Sequence, residues 1–196
     1  MLNFFKKKEK NKEPTESRFI KRMAGQDYID SSRAYLDYLE EHLSFVSAAF
    51  SELSEACDGK EHWVGDDCSW HTIHHDITRH DLSKLSKEEF VQYRDYFFPV
   101  NSSDKENSGF ELAWENHKQE NHHHHETAED YHDLVHMVVD WVAMSYKFKD
   151  DPRKFYEKTK PSMGENITPE FHEFISRQFD HLEEFYPDGV KEFKEM

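Results

Sequence analysis

Leu36, Leu39, Leu43, Val46, Phe50, Leu53 and Cys57 follow one another at alternating spacings of three and four. That period fits 3.6 residues per turn and no strand, so the stretch commits the chain to a long amphipathic helix with one stripe to bury. Its expected start is near Tyr28 and its expected stop is Asp58-Gly59, where glycine suits a C-terminal cap. Trp70, Ile73 and Ile77 repeat the period in a second helix over roughly 68–82. Ser86 and Glu89 have capping-box spacing ahead of Phe90, Tyr93 and Phe97, and Pro99 follows that third helix. Residues 100–108 are polar and read as a loop, and Phe110, Ala113 and Trp114 mark a fourth helix. A fifth, over roughly 127–148, is apolar at its centre. Asp151-Pro152 opens a short sixth, and Thr168-Pro169 opens a last amphipathic one. No run alternates with period two and no internal repeat is visible, so the expected fold is an all-α bundle.

Length and charge set further bounds. A chain of 196 residues suits one domain. Residues 1–26 read as a flexible, basic N-terminal tail, and 27–196 as a single helical domain. Asp and Glu number 41 against 25 Lys and Arg, a net charge of −16, which argues against a nucleic-acid backbone as partner. Cys57 and Cys68 give neither a disulfide framework nor zinc-finger spacing. With no apolar run of membrane-spanning length and no signal-peptide core, the expectation is a soluble, cytoplasmic protein.

Polar residues on apolar faces carry the chemistry. His80 continues the series Trp70, Ile73, Ile77, and Asp81 is its neighbour. His117 extends Phe110, Ala113, Trp114, while His42 lies between Leu39 and Val46 at the edge of the longest stripe. Asp140 interrupts the apolar run from Met137 to Met144. A carboxylate there costs several kcal/mol unless it is paired or bound to a cation. Asp140 could pair with His136 one turn earlier, and Asp81 with Lys84 or Arg79. A divalent metal, for which carboxylate and neutral imidazole are usual ligands, satisfies all five residues together. His71, His74, His75, His132 and His136 read as surface or outer-shell residues. The run His122–His125 could equally be an exposed metal-binding loop.

The order His42, His80-Asp81, His117, Asp140 resembles the HD-domain superfamily of metal-dependent phosphohydrolases, and His80-Asp81-Leu82-Ser83-Lys84 is similar to its HD-x-[GS]-K form. More closely, HDLSKLSKEEFVQYRDYFFP (80–99), FELAWENHKQENHHHHE (110–126) and DWVAM (140–144) resemble a family of small HD-like proteins of bacteria and phages. The resemblance implies an HD-like helical bundle with a four-ligand core at His42, His80, Asp81 and Asp140. It also implies a second ion held by His117 with His123 and His124, Asp81 bridging the two. His136 stands where the family pattern has Glu.

One or two divalent ions (Mn, Fe or Zn) are therefore expected. So is hydrolysis of a phosphorylated small molecule, of nucleotide class by analogy with the superfamily, through metal-activated water. Asp81 and Lys84 carry the catalytic roles, Lys84 as a phosphate contact unless it pairs with Glu88. Two alternatives stand beside this: a di-iron oxygenase on the same helical core, and a non-catalytic interaction protein with a structural metal.

Overall fold

The computed structural model describes residues 16–56 and 69–185. Among them the chain is helical, without strands: α1 (Glu16–Ala56), α2 (Trp70–Ile77), α3 (Phe90–Phe97), α4 (Ser102–Glu106), α5 (Phe110–Glu120), α6 (Tyr131–Phe148), α7 (Pro152–Thr159) and α8 (Pro169–Phe185), with 3-10 turns at Leu82–Leu85 and Lys160–Ser162. No helix among these residues is long and apolar enough to cross a membrane.

The core forms around α6. Leu134, Val135, Met137, Val138, Val139, Val142 and Ala143 are all buried, on every side of it. A helix apolar all round has to be surrounded. Val46, Ala49, Phe50 and Leu53 of α1, Ile73 and Ile77 of α2, Tyr156 of α7, and Phe174, Ile175, Phe179 and Leu182 of α8 surround it. Each large aliphatic so buried contributes about 1.5–3 kcal/mol. A second, smaller cluster joins α1, α3 and α5 through Tyr35, Leu39, Tyr93 and Ala113, with Phe90, Phe98, Phe110 and Trp114 against it. It is held by rings rather than aliphatics; Tyr35 meets Phe90 edge-on at 5.1 Å and Tyr93 meets Phe110 at 5.3 Å. His42 falls in α1 between Leu39 of the small cluster and Val46 of the large one, so polar groups gather at the seam between two apolar bodies.

Caps fix the ends as the sequence suggests. Asp151 accepts from the backbone of Arg153 and Lys154 ahead of Pro152, and Thr168 Oγ1 accepts from Phe171 N at 3.2 Å. The fifth expected helix, α6, starts at Tyr131 rather than near 127, because Asp130 caps it through His132 N and Asp133 N.

Several expectations are corrected. α1 begins at Glu16, well ahead of Tyr28; residues 25–30 are all exposed, so no burial pattern marks the extension. Residues 1–15 of the expected tail, the expected stop at Asp58-Gly59, and both cysteines lie outside the described residues. Within α1, Leu36 and Leu43 are exposed, and the buried stripe is Tyr35, Leu39, His42, Val46, Ala49, Leu53. The helix is turned so that Tyr35 meets Phe90, which moves His42 from the edge of the stripe to its middle. α2 ends at Ile77, short of 82. Residues 100–108 contain α4, closed by a capping box between Asn101 and Asp104. Ser86 and Glu89 form no capping box: Glu89 caps nothing with its side chain and is fully buried.

Candidate metal centre

The early end of α2 makes the site possible. On a continuous helix, adjacent residues diverge by about 100°, so His80 and Asp81 could not both face one point. The backbone instead runs through i→i+3 bonds, His80 N to Ile77 O and Leu82 N to Arg79 O, both 3.1 Å. Asp81 takes a left-handed conformation at φ 56°. Aspartate tolerates that region better than most residues, and such positions concentrate at functional sites. His80 and Asp81 both end up buried.

Four atoms from three parts of the chain then converge. His42 Nε2 of α1 lies 2.8 Å from His80 Nε2, 3.2 Å from Asp81 Oδ2 and 3.4 Å from Asp140 Oδ1 of α6. His80 Nε2 lies 3.3 Å from Asp81 Oδ2 and 3.6 Å from Asp140 Oδ1. A tetrahedron with bonds of about 2.1 Å has edges of about 3.4 Å, so these separations suit one first-row divalent ion.

The other oxygen of Asp81 faces a second group. Its Oδ1 is 3.2 Å from His117 Nε2 of α5 and 3.5 Å from His123 Nε2 of the following loop. The ligand nitrogens of His117, His123 and His124 lie within 4.8 Å of one another. Asp81 thus stands between two sets of imidazoles.

The outer contacts orient these groups. Glu89 Oε2 accepts from His117 Nδ1 at 3.0 Å and from Ser83 Oγ at 3.0 Å, and its Oε1 accepts from Asn116 Nδ2 at 2.7 Å. A carboxylate only accepts, so Nδ1 of His117 carries the proton and Nε2 is left as a lone pair facing Asp81. His80 Nδ1 meets His136 Nε2 at 2.7 Å. Lys84 Nζ lies 2.5 Å from Asp81 Oδ2, while Glu88 pairs with Lys87, so Lys84 belongs to the centre rather than to a surface pair.

Charge follows the same plan. Burial opposes ionisation of Asp81, but His80, Lys84 and the neighbouring imidazoles of His117 and His123 outweigh it and hold its carboxyl well below the usual range. Burial pushes His123 down to about 4 and His124 down to about 2, helped by neighbouring imidazoles. His136 is lowered well below an ordinary imidazole for the same reasons. His117 moves the other way: burial lowers it, and the carboxylates of Asp81 and Glu89 on its two sides raise it further. His123 and His124, held neutral, are in the form that ligates metal.

The donor set fits a bound cation. Asp81 Oδ1, His117 Nε2, His124 Nε2 and Asp140 Oδ1 are buried without hydrogen bonds. Leaving such atoms unsatisfied is costly, and native structures rarely do so without a reason.

The structure brings together His42, His80, Asp81, Lys84, His117, His123, His124 and Asp140. Within the four-histidine run it separates the members: His123 is buried and His124 half-buried, whereas His122 is exposed and His125 turns to Glu126 at 3.6 Å. Asp140 is half-buried at the edge of the apolar run and faces His42, not His136. His136, expected on the surface or in the outer shell, takes the outer-shell place: it is buried against His80. It interrupts an apolar run just as Asp140 does, and that signal could have placed it. Glu89 was missed too; its spacing of four from buried Tyr93 marks it as inward, whereas Phe97, expected inside, is exposed.

The sequence model of a family described as "Family of unknown function (DUF5662)" matches residues 31–181. No curated protein and no solved structure matches the chain. The matched segment includes every residue of the centre, from His42 to Asp140, and most of the chain: this protein belongs to the DUF5662 family.

Proposed function

We propose that the protein is an HD-type, metal-dependent phosphoester hydrolase in which Asp81 and the imidazoles on either side of it would hold divalent metal. One observation carries the reading: Oδ2 of Asp81 faces His42 and His80 while Oδ1 faces His117 and His123. A carboxylate so placed suits a pair of cations a few ångströms apart. The chain order His42, His80-Asp81, His117, Asp140 resembles that of the HD superfamily, which supports the reading.

Imidazole and carboxylate ligands suit Mn, Fe or Zn. Such ions, when bound, act as Lewis acids toward water and phosphoryl oxygen. His42, His80 and Asp140 would hold one ion and His117, His123 and His124 the other. Glu89 keeps the His117 lone pair aimed inward, and His136 keeps the His80 ring in place. Lys84 sits beside Asp81 with its side chain partly exposed, where its ammonium can meet a phosphoryl oxygen arriving next to Asp140.

Phosphate release tests this. Protein prepared without a histidine tag, stripped by chelation and reloaded with Mn²⁺ or Fe²⁺, should hydrolyse at least one member of a broad phosphoester panel. Asp81→Ala should abolish that activity. Lys84→Met should lower the rate roughly 10²–10³-fold and keep the metal. Absence of metal-dependent turnover, aerobically and anaerobically, would overturn the assignment; O₂ consumption by the iron-loaded protein without phosphate release would replace it with an oxygenase.

A further inference from the structure

A cavity of about 520 Å³ opens beside the centre. It has room for a divalent ion with six waters, each of about 30 Å³. Burial orders its lining. His123 and His136 are buried, whereas His75, Glu120 and His122 are exposed, so the cavity runs from solvent to the ligands of the centre. His123 Nε2 is the atom 3.5 Å from Asp81 Oδ1. The second nitrogen of that ring, Nδ1, is buried and makes no hydrogen bond. A cation reaching the floor of the cavity would supply the contact it lacks.

Most of the lining consists of groups that ligate divalent ions. Besides the imidazoles there are three carboxylates, Asp76, Glu120 and Asp133, against one guanidinium, Arg79. Asp76 meets His75 at 3.2 Å and Asp133 accepts from Glu129 N at 2.8 Å. Each carboxylate keeps lone pairs for a cation. A cleft with an excess of one charge concentrates the opposite ion and quickens its arrival. On the other side of the centre the charge is reversed. Lys84 and Asp140 are both partly exposed there, and the ammonium against Asp81 repels a cation while it suits a phosphate.

We infer that this cavity is the inlet for divalent metal: Asp76, Glu120 and His122 capture an ion weakly from solvent and pass it along His123 and His136 to the centre. Cations and the phosphoester then arrive from different sides. The inlet presupposes the metal-binding part of the proposed function but no particular reaction.

Stopped-flow mixing of metal-free protein with Co²⁺, whose visible absorbance reports ligation, measures uptake, and chelator competition measures affinity. Glu120 and Arg79 are exposed and Asp76 is half-buried, so their variants should fold. The pair Asp76→Asn and Glu120→Gln should slow uptake about tenfold at low salt, and Arg79→Gln should quicken it about threefold. Both effects should shrink at high ionic strength. Affinity should stay within about twofold, because charges at the mouth add little to a buried site and a group on the path alters arrival and departure together. Uptake at the wild-type rate in both variants would overturn the inlet and leave the centre in place. A fall in affinity as large as the fall in rate would also overturn it, since Asp76 and Glu120 would then hold the resident ion rather than a passing one. No Co²⁺ absorbance from the wild type would remove the centre, and the inlet with it.

Discussion

Exchanging Glu89 for Gln keeps the shape of a fully buried side chain and removes its charge. Three donors point at that carboxylate: His117 Nδ1, Ser83 Oγ and Asn116 Nδ2. An amide accepts at one end and donates at the other, so at least one donor meets a donor. If the lost partner is His117, a charge-assisted bond of about 1.5–3 kcal/mol goes with it. His117 Nε2 then loses the neighbour that holds its lone pair toward Asp81. Outer-shell changes of this kind lower metal affinity by about 10–100-fold, which is about 1.4–2.8 kcal/mol and agrees with the hydrogen-bond figure. Chelator-competition titration of wild type and Glu89→Gln, with circular dichroism as the folding control, measures it. The wild type should bind one ion more tightly than the other, because the His117 side depends on the loop histidines His123 and His124, whose ordering costs free energy. In the variant the weaker step should fall by about 10–100-fold while the step assigned to His42, His80 and Asp140 stays put. Equal loss at both steps, or none, would refute the reasoning.

Asp140→Asn should lose the tighter ion by mass spectrometry, whereas Asp104→Asn, at the exposed cap of α4, should retain both. A double change of His122 and His125 to Ala should leave metal content unchanged, while His123→Ala should remove the weaker ion. The metal-free protein should lose stability as pH falls from about 6.5 to about 4. The unfolded chain takes up a proton near 6.5, whereas folded His123 does so only near 4. Stability present above pH 6.5 is therefore lost through that window, by up to about 3 kcal/mol for this one group. His124 and His136 act in the same direction, and urea titrations from neutral pH to about pH 4 would show the fall.

Helix periodicity made the bundle legible because most of its helices bury one face, and it located His42, His80, His117 and Asp140 as polar residues on those faces. It failed where backbone geometry, not periodicity, does the placing. Asp81 was expected in the site, but as a residue of a continuous helix; it turns inward through a left-handed conformation at φ 56°, which no spacing of apolar residues reveals. Glu89 was hidden by a capping-box spacing with Ser86 that the folded chain does not use. The register of the four-histidine run was illegible because identical neighbours carry no pattern; only the packing of the loop against α5 and α6 separates buried His123 from exposed His122. The inward face of α1 was misplaced by one position because aromatic contacts at Tyr35, not the count of leucines, set its rotation.

The central claim is that Asp81 divides two metal positions. Anomalous diffraction from crystals soaked in Mn²⁺ or Zn²⁺ tests it most directly. Two peaks should flank the Asp81 carboxylate, one among His42, His80 and Asp140 and the other among His117, His123 and His124. A peak confined to His122 and His125 on the surface, or no peak beside Asp81, would contradict the account.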